Sequence, residues 1–101
     1  MAGRPQRLRA LEQANAIRRA RARLKRRIDA GQLSAVDVIL ACPVEVESWA
    51  VAELLASQRN WGPARARNFL ARTGISEIKP AGELTPRQRR LLADELTSEG
   101  R

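Results

Sequence analysis

Between Pro5 and Gly31 the chain runs 25 residues without a glycine or a proline. Nothing else in the sequence restricts the fold as strongly. Pro5 suits a first helical position, and Gly31 suits the left-handed residue that follows a last turn. The stretch therefore predicts one long helix over about Pro5 to Ala30. Ile17, Ala20, Leu24 and Ile28 recur at steps of three and four and draw a single apolar stripe along it. Leu8, Leu11 and Ala14 do not extend that stripe. Steps of three drift round a helix of 3.6 residues per turn, so Leu8 falls nearly opposite Ile17. Those first turns have little packing to stabilise them on their own.

Charge follows the same division. The first 31 residues hold ten bases and two acids, Glu12 and Asp29. Residues 32–58 hold four acids and no base, and residues 59–72 hold Arg59, Arg65, Arg67 and Arg72 with no acid. A helix face built for solubility alone would pair Glu with Arg at i,i+4. Arg18, Arg19, Arg21, Arg23, Lys25, Arg26 and Arg27 have almost no such neighbours. Arg19 and Arg26 lie farthest from the apolar stripe, and Arg21 lies at its edge. Two basic blocks around an acidic middle, with a net charge of +8, point to a polyanion met on two surfaces. With three aromatic side chains and no Tyr or His, stacking on single strands is a poor fit, and duplex phosphates are the better one.

The remaining elements follow from local signals. Ser34 caps a second helix, with Asp37 three residues on and Leu33 and Val38 placed as a staple. Val36, Ile39 and Leu40 are expected to face inward, and Cys42-Pro43 ends the helix. A third helix within Val46–Ser57 carries Trp49, Val51, Leu54 and Leu55. Asn60-Trp61-Gly62-Pro63 is a break, and Pro63 opens a fourth helix to about Arg72, closed by Thr73-Gly74. Ile75–Leu84 reads as a loop. Thr85-Pro86-Arg87-Gln88 combines a cap, a first-position proline and a capping-box glutamine. The last helix carries Leu91, Leu92 and Leu96 and frays at Gly100-Arg101. No strand pattern or internal repeat is visible. The fold class is all-α with about five helices: a basic N-terminal helix, 1–31, and a compact unit, 32–101, forming one structural whole.

Several classes are poorly supported. Without His the usual neutral-pH general base is missing, so no enzyme and no catalytic residue is expected. Cys42 alone makes no internal disulfide and no zinc site, and it reads as an inert core thiol. Glu45 and Glu47 read as solvated surface charges. No apolar run has the roughly 18–20 residues of a membrane span. The charged N-terminus argues against secretion, which suggests the cytoplasm. No cofactor, metal, membrane or small-molecule substrate is expected.

Trp61-Gly62-Pro63-Ala64-Arg65 is the sharper motif. Gly62 would let the backbone turn tightly and approach a ligand. The free amides that follow it would face a phosphate. Arg65 would reach the same phosphate or the minor-groove edge, or the turn would be purely structural. Trp61 reads as a core anchor rather than a base-stacking wedge.

Taken in order, these features resemble the actinobacterial integration host factor family of nucleoid-associated proteins, over about residues 8–96. Arg18-Arg19-Ala20-Arg21-Ala22-Arg23-Leu24-Lys25 resembles its R-R-x-R-A-x-x-K motif. Val51-Ala52-Glu53-Leu54-Leu55 matches its V-S-A-L-L-like helix, and Trp61-Gly62-Pro63-Ala64-Arg65-Ala66 its V-G-K-V-R-A turn. The resemblance implies a helix–two-turn–helix domain behind the long helix. It implies duplex DNA binding with little sequence preference, through backbone contacts at the glycine turn, and bending and compaction of DNA. Three departures mark a divergent member, whether a paralogue or a mobile-element or phage copy. Pro63 replaces a lysine, the basic stretch before the last helix shrinks to Lys79-Pro80-Ala81-Gly82-Glu83, and Val46-Glu47-Ser48-Trp49-Ala50 has no lysine.

The expected partner is double-stranded DNA, bound by a monomer in the nucleoid. The expected DNA-binding residues are Arg18, Arg19, Arg21, Arg23, Lys25, Arg26, Gly62, Pro63, Ala64, Arg65, Arg67 and Lys79. The alternatives are an RNA-binding protein of the ribosomal helix–two-turn–helix type and a basic adaptor for an acidic protein.

Overall fold

The computed structural model describes residues 6–99, the side chain of Gln6 excepted, so the readings of Pro5 and of Gly100-Arg101 fall outside the described residues. The described residues form five α-helices: α1 (Gln6–Asp29), α2 (Ala35–Ala41), α3 (Val51–Ala56), α4 (Pro63–Thr73) and α5 (Pro86–Glu99). Two single 3-10 turns, Val44–Val46 and Ala81–Glu83, lie between them. The described residues hold no strand, only an isolated antiparallel bridge between Ala50 and Pro80.

α1 is helical from Gln6 and spans about 36 Å. Its stripe deepens toward the C-terminus: Ile17 and Ala20 are half-buried, and Leu24 and Ile28 are buried. Each of the last two contributes roughly 1.5–3 kcal/mol by leaving water. Leu8 and Leu11, which lie off that stripe, remain exposed. The rear half of α1 is thus anchored and the front half projects, giving an outline of 58 × 27 × 22 Å. The helix stops where expected, at Gly31 with φ +77°.

The compact unit packs α2 on α5 and α3 on α4, with the Val44–Val46 turn against α1. Trp49, Phe69, Ile39, Leu54, Leu55, Leu70 and Leu92 are the largest buried side chains. In α2 the inward face is Ala35, Val38 and Ile39, spaced i, i+3, i+4. Leu40 lies about 100° round from Ile39 and is exposed, contrary to the expected inward face, and Val36 is half-buried. In α5, Leu91 is likewise exposed, beside the buried Leu92, Ala93 and Leu96. The third helix is shorter than its pattern allows. Trp49 belongs to the turn before it, and its backbone pairs with the following loop: Ala81 N–H donates to Trp49 O at 2.9 Å and Val51 N–H to Lys79 O at 2.9 Å. That pairing takes the backbone groups a longer helix would have used.

The caps behave as their residue types dictate. The Ser34 hydroxyl accepts from Val36 N–H at 3.1 Å. Thr85 and Gln88 form a reciprocal capping box, with bonds of 3.0 and 3.1 Å. Gly74 closes α4 with φ +75°. Cys42 leaves the helical region before Pro43, but into the left-handed one, with φ +44°. It is half-buried against the core.

Candidate functional site

The outer side of α1 presents its cations without competition. Arg18, Arg19, Arg23, Lys25, Arg26 and Arg27 are exposed. None of the six makes an ion pair among the described residues; Arg18 donates to Asn15 Oδ1 at 3.3 Å. Arg19, Arg23 and Arg26 follow at steps of four and three and form one row. At its end, Lys25 and Arg26 line a shallow hollow with Asp29, Ala56 and Ser57.

Arg21 sits differently. Its Nε donates to Glu45 O at 3.2 Å and its guanidinium to Ser48 Oγ at 2.7 Å. It also lies 5.9 Å from the Trp49 ring centroid. This arginine ties α1 to the turn that follows α2, as its place at the stripe's edge allows.

The turn into α4 follows the end of α3. Gly62 precedes the helix and Pro63 occupies its first turn. No side chain caps this end, so the amides of Ala64 and Arg65 have no side-chain acceptor. The tight turn expected at Gly62 is not found there. Its backbone is extended, with φ −130° and ψ 179°, and a Cβ added there would meet nothing within 4 Å. Asn60, with φ +67°, makes the sharp turn instead. The glycine that needs to be small is Gly82, where a Cβ would stand 3.0 Å from Glu47 O and 3.0 Å from Glu47 Cβ.

Arg65 stacks over Trp61 at 4.4 Å, and Trp61 meets Phe69 edge to face at 5.6 Å. Trp61 is half-buried against the core, the anchor its sequence context suggested. Arg67 lines a second hollow with Ala52, Glu53, Ala56, Pro63 and Glu77. Ala56 borders both hollows, so the rear of α1 and the start of α4 share the outer edge of α3. Pro63 and Arg67 therefore face α3, with Lys25 and Arg26 beyond it, while Arg65, about 160° round α4 from Arg67, faces Trp61 instead. Lys79 does not join them as a free cation. It is half-buried near the start of α3, and its Nζ donates to Gln88 Oε1 at 3.0 Å.

Arg89 escaped the reading of the sequence. Its guanidinium donates to Ile39 O at 2.7 Å and to Ala81 O and Leu84 O at 3.1 Å each. The signal was present: four residues after Ile39 stands Pro43, which has no N–H to give that carbonyl. Arg72 was legible as well, two turns beyond Arg65 on the same face. It lies 5.5 Å from the Phe69 ring.

Among the described residues no cluster of His, Cys, Asp and Glu is arranged to hold a metal ion, and no helix is long and apolar enough to cross a membrane. No protein-family model matches the chain, and no curated protein does. Among solved structures it is similar to sIHF bound to an 8-bp palindromic DNA. The two are 32% identical, the match covers 83% of this chain and 97% of that chain, and the TM-score is 0.76.

Proposed function

The chain belongs to the family of sIHF, an integration-host-factor-like protein, and on that premise we propose that it binds double-stranded DNA by its phosphates, with little regard for sequence. Phosphate contacts fix position and register but carry no base information directly. The amides of Ala64 and Arg65 and the Arg65 guanidinium take one strand at the Gly62 turn. Arg18, Arg19, Arg23, Lys25 and Arg26 neutralise further phosphates, on the same duplex or on a second one. Arg67 adds charge from an exposed position, and Arg21 and Lys79 from half-buried ones. The role that follows is a non-enzymatic, nucleoid-associated protein that bends and compacts DNA as a monomer in the cytoplasm.

One observation carries this reading: the row of exposed cations on α1 has no carboxylate partner among the described residues. Unpaired cations have no internal ion pair to break, and they release counterions from DNA on contact. The Pro63 and Lys79 positions support a shift of weight toward α1. Pro63 offers no charge at the turn, and Lys79 is engaged by Gln88.

A salt titration on unrelated duplexes tests it. With about five phosphates neutralised, log K falls against log salt with a slope near −4.5, so fourfold more salt weakens binding roughly 500-fold. A slope shallower than about −2 overturns phosphate-dominated binding. Duplex RNA in the same titration binding more tightly than DNA would favour the ribosomal type of function instead.

A further inference from the structure

Arg65 already has an anion beside it. Glu99, in the last turn of α5, reaches across to α4. Its Oε2 accepts from Arg72 Nη2 at 2.7 Å, and its Oε1 stands 3.7 Å from Arg65 Nη2. The two guanidiniums lie over Trp61 and Phe69, rings that brace each other, so they are held on one face of α4. The carboxylate spans the pair. An acid at a helix C-terminus is locally unfavourable, because the carbonyl end of the helix is already negative. The arginines of α4 compensate for it here.

Carboxylate and phosphate oxygens meet a guanidinium through the same fork of donors. The two contacts of Glu99 are unequal, though. Arg72 holds it at hydrogen-bond length, while 3.7 Å to Arg65 is beyond that length and acts only through charge. Arg65 is 47% exposed and keeps its donors available.

Resting on the DNA-binding reading above, we propose that Glu99 is an intramolecular competitor for phosphate at Arg65, and that Arg72 is the latch that draws it aside. Glu99 lowers affinity by its charge at the phosphate position. Arg72 limits the loss by keeping the carboxylate off Arg65.

The test is duplex affinity at low salt for the wild-type chain, Glu99→Gln, Arg72→Ala and the double variant, with melting temperatures to verify folding. Asp94→Asn is the control. It removes the same charge from α5 but lies five residues away, about 140° round the helix. Glu99→Gln should tighten binding about threefold to tenfold, alike on every duplex, while Asp94→Asn changes it less than about twofold. Arg72→Ala should weaken binding in the wild-type background by more than it does beside Glu99→Gln. Binding by Glu99→Gln where the wild type shows none would also support the competitor. Wild-type binding with Glu99→Gln equal or weaker overturns the competitor alone, as does an equal gain from Asp94→Asn. Failure of both wild type and Glu99→Gln to bind overturns the DNA reading and the competitor with it.

Discussion

The outer side of α1 and the seam between α2 and α5 both depend on arginine, and they use it in opposite ways. On α1, Arg19, Arg23 and Arg26 point to solvent with no acid against them. At the seam, Arg89 turns its donors onto three backbone carbonyls. A guanidinium with its hydrogen bonds satisfied inside the protein fixes a loop and a helix end. One without internal partners keeps its charge for something outside. Arginine count alone therefore says little about a polyanion surface. What separates the two roles is where each guanidinium finds its acceptors.

The largest expected effect lies on α1. Replacing Arg19, Arg23 and Arg26 together with Ala should weaken duplex binding by about 3–4 kcal/mol and shrink the salt slope by about 2.7 units. The melting temperature should barely move, because all three are exposed and unpaired. A large drop in melting temperature would break the contrast outright.

Arg89→Ala is the mirror experiment. It leaves Ile39 O without the donor that Pro43 cannot supply, and it frees Ala81 O and Leu84 O from their guanidinium bonds. Denaturant unfolding should show a loss of about 2–3 kcal/mol. Affinity of the folded fraction should change by little more than one distant charge accounts for. Unchanged stability would mean that those carbonyls are satisfied by other means.

Arg65 lies between the two extremes, exposed yet stacked on Trp61. Arg65→Ala should cost about 1–3 kcal/mol in binding and about one unit of salt slope, equally on every duplex. Equal affinity would leave α1 as the sole phosphate surface.

The glycines give the smallest and sharpest version of the contrast. Gly82→Ala places a Cβ 3.0 Å from Glu47 O and should destabilise by about 1–2 kcal/mol in thermal or denaturant unfolding. Gly62→Ala meets open space, so its stability cost should stay under about 1 kcal/mol. If a phosphate approaches this turn, affinity falls while stability holds. A drop in stability at Gly62 as large as that at Gly82 would overturn the placement of the close contact.

The sequence alone determined the elements whose signals are local. The span from Pro5 to Gly31 and the stripe through Leu24 and Ile28 foretold α1 and the side on which Arg19 and Arg26 lie. Thr85 and Gln88, three residues apart, specified the start of α5 by themselves. Those features depend on bonds within one or two turns, which sequence spacing encodes directly. Tertiary structure decided the rest. Trp49 falls outside α3 because its carbonyl pairs with Ala81, a partner 32 residues away. Leu40 and Leu91 are exposed because packing between α2 and α5 selects one of several apolar faces. Arg89 and Glu99 took their roles from acceptors and donors on other helices, and Gly82 from the backbone of Glu47. A side chain's chemistry is fixed by its sequence position, but its partners are set by distances that only the packed chain closes.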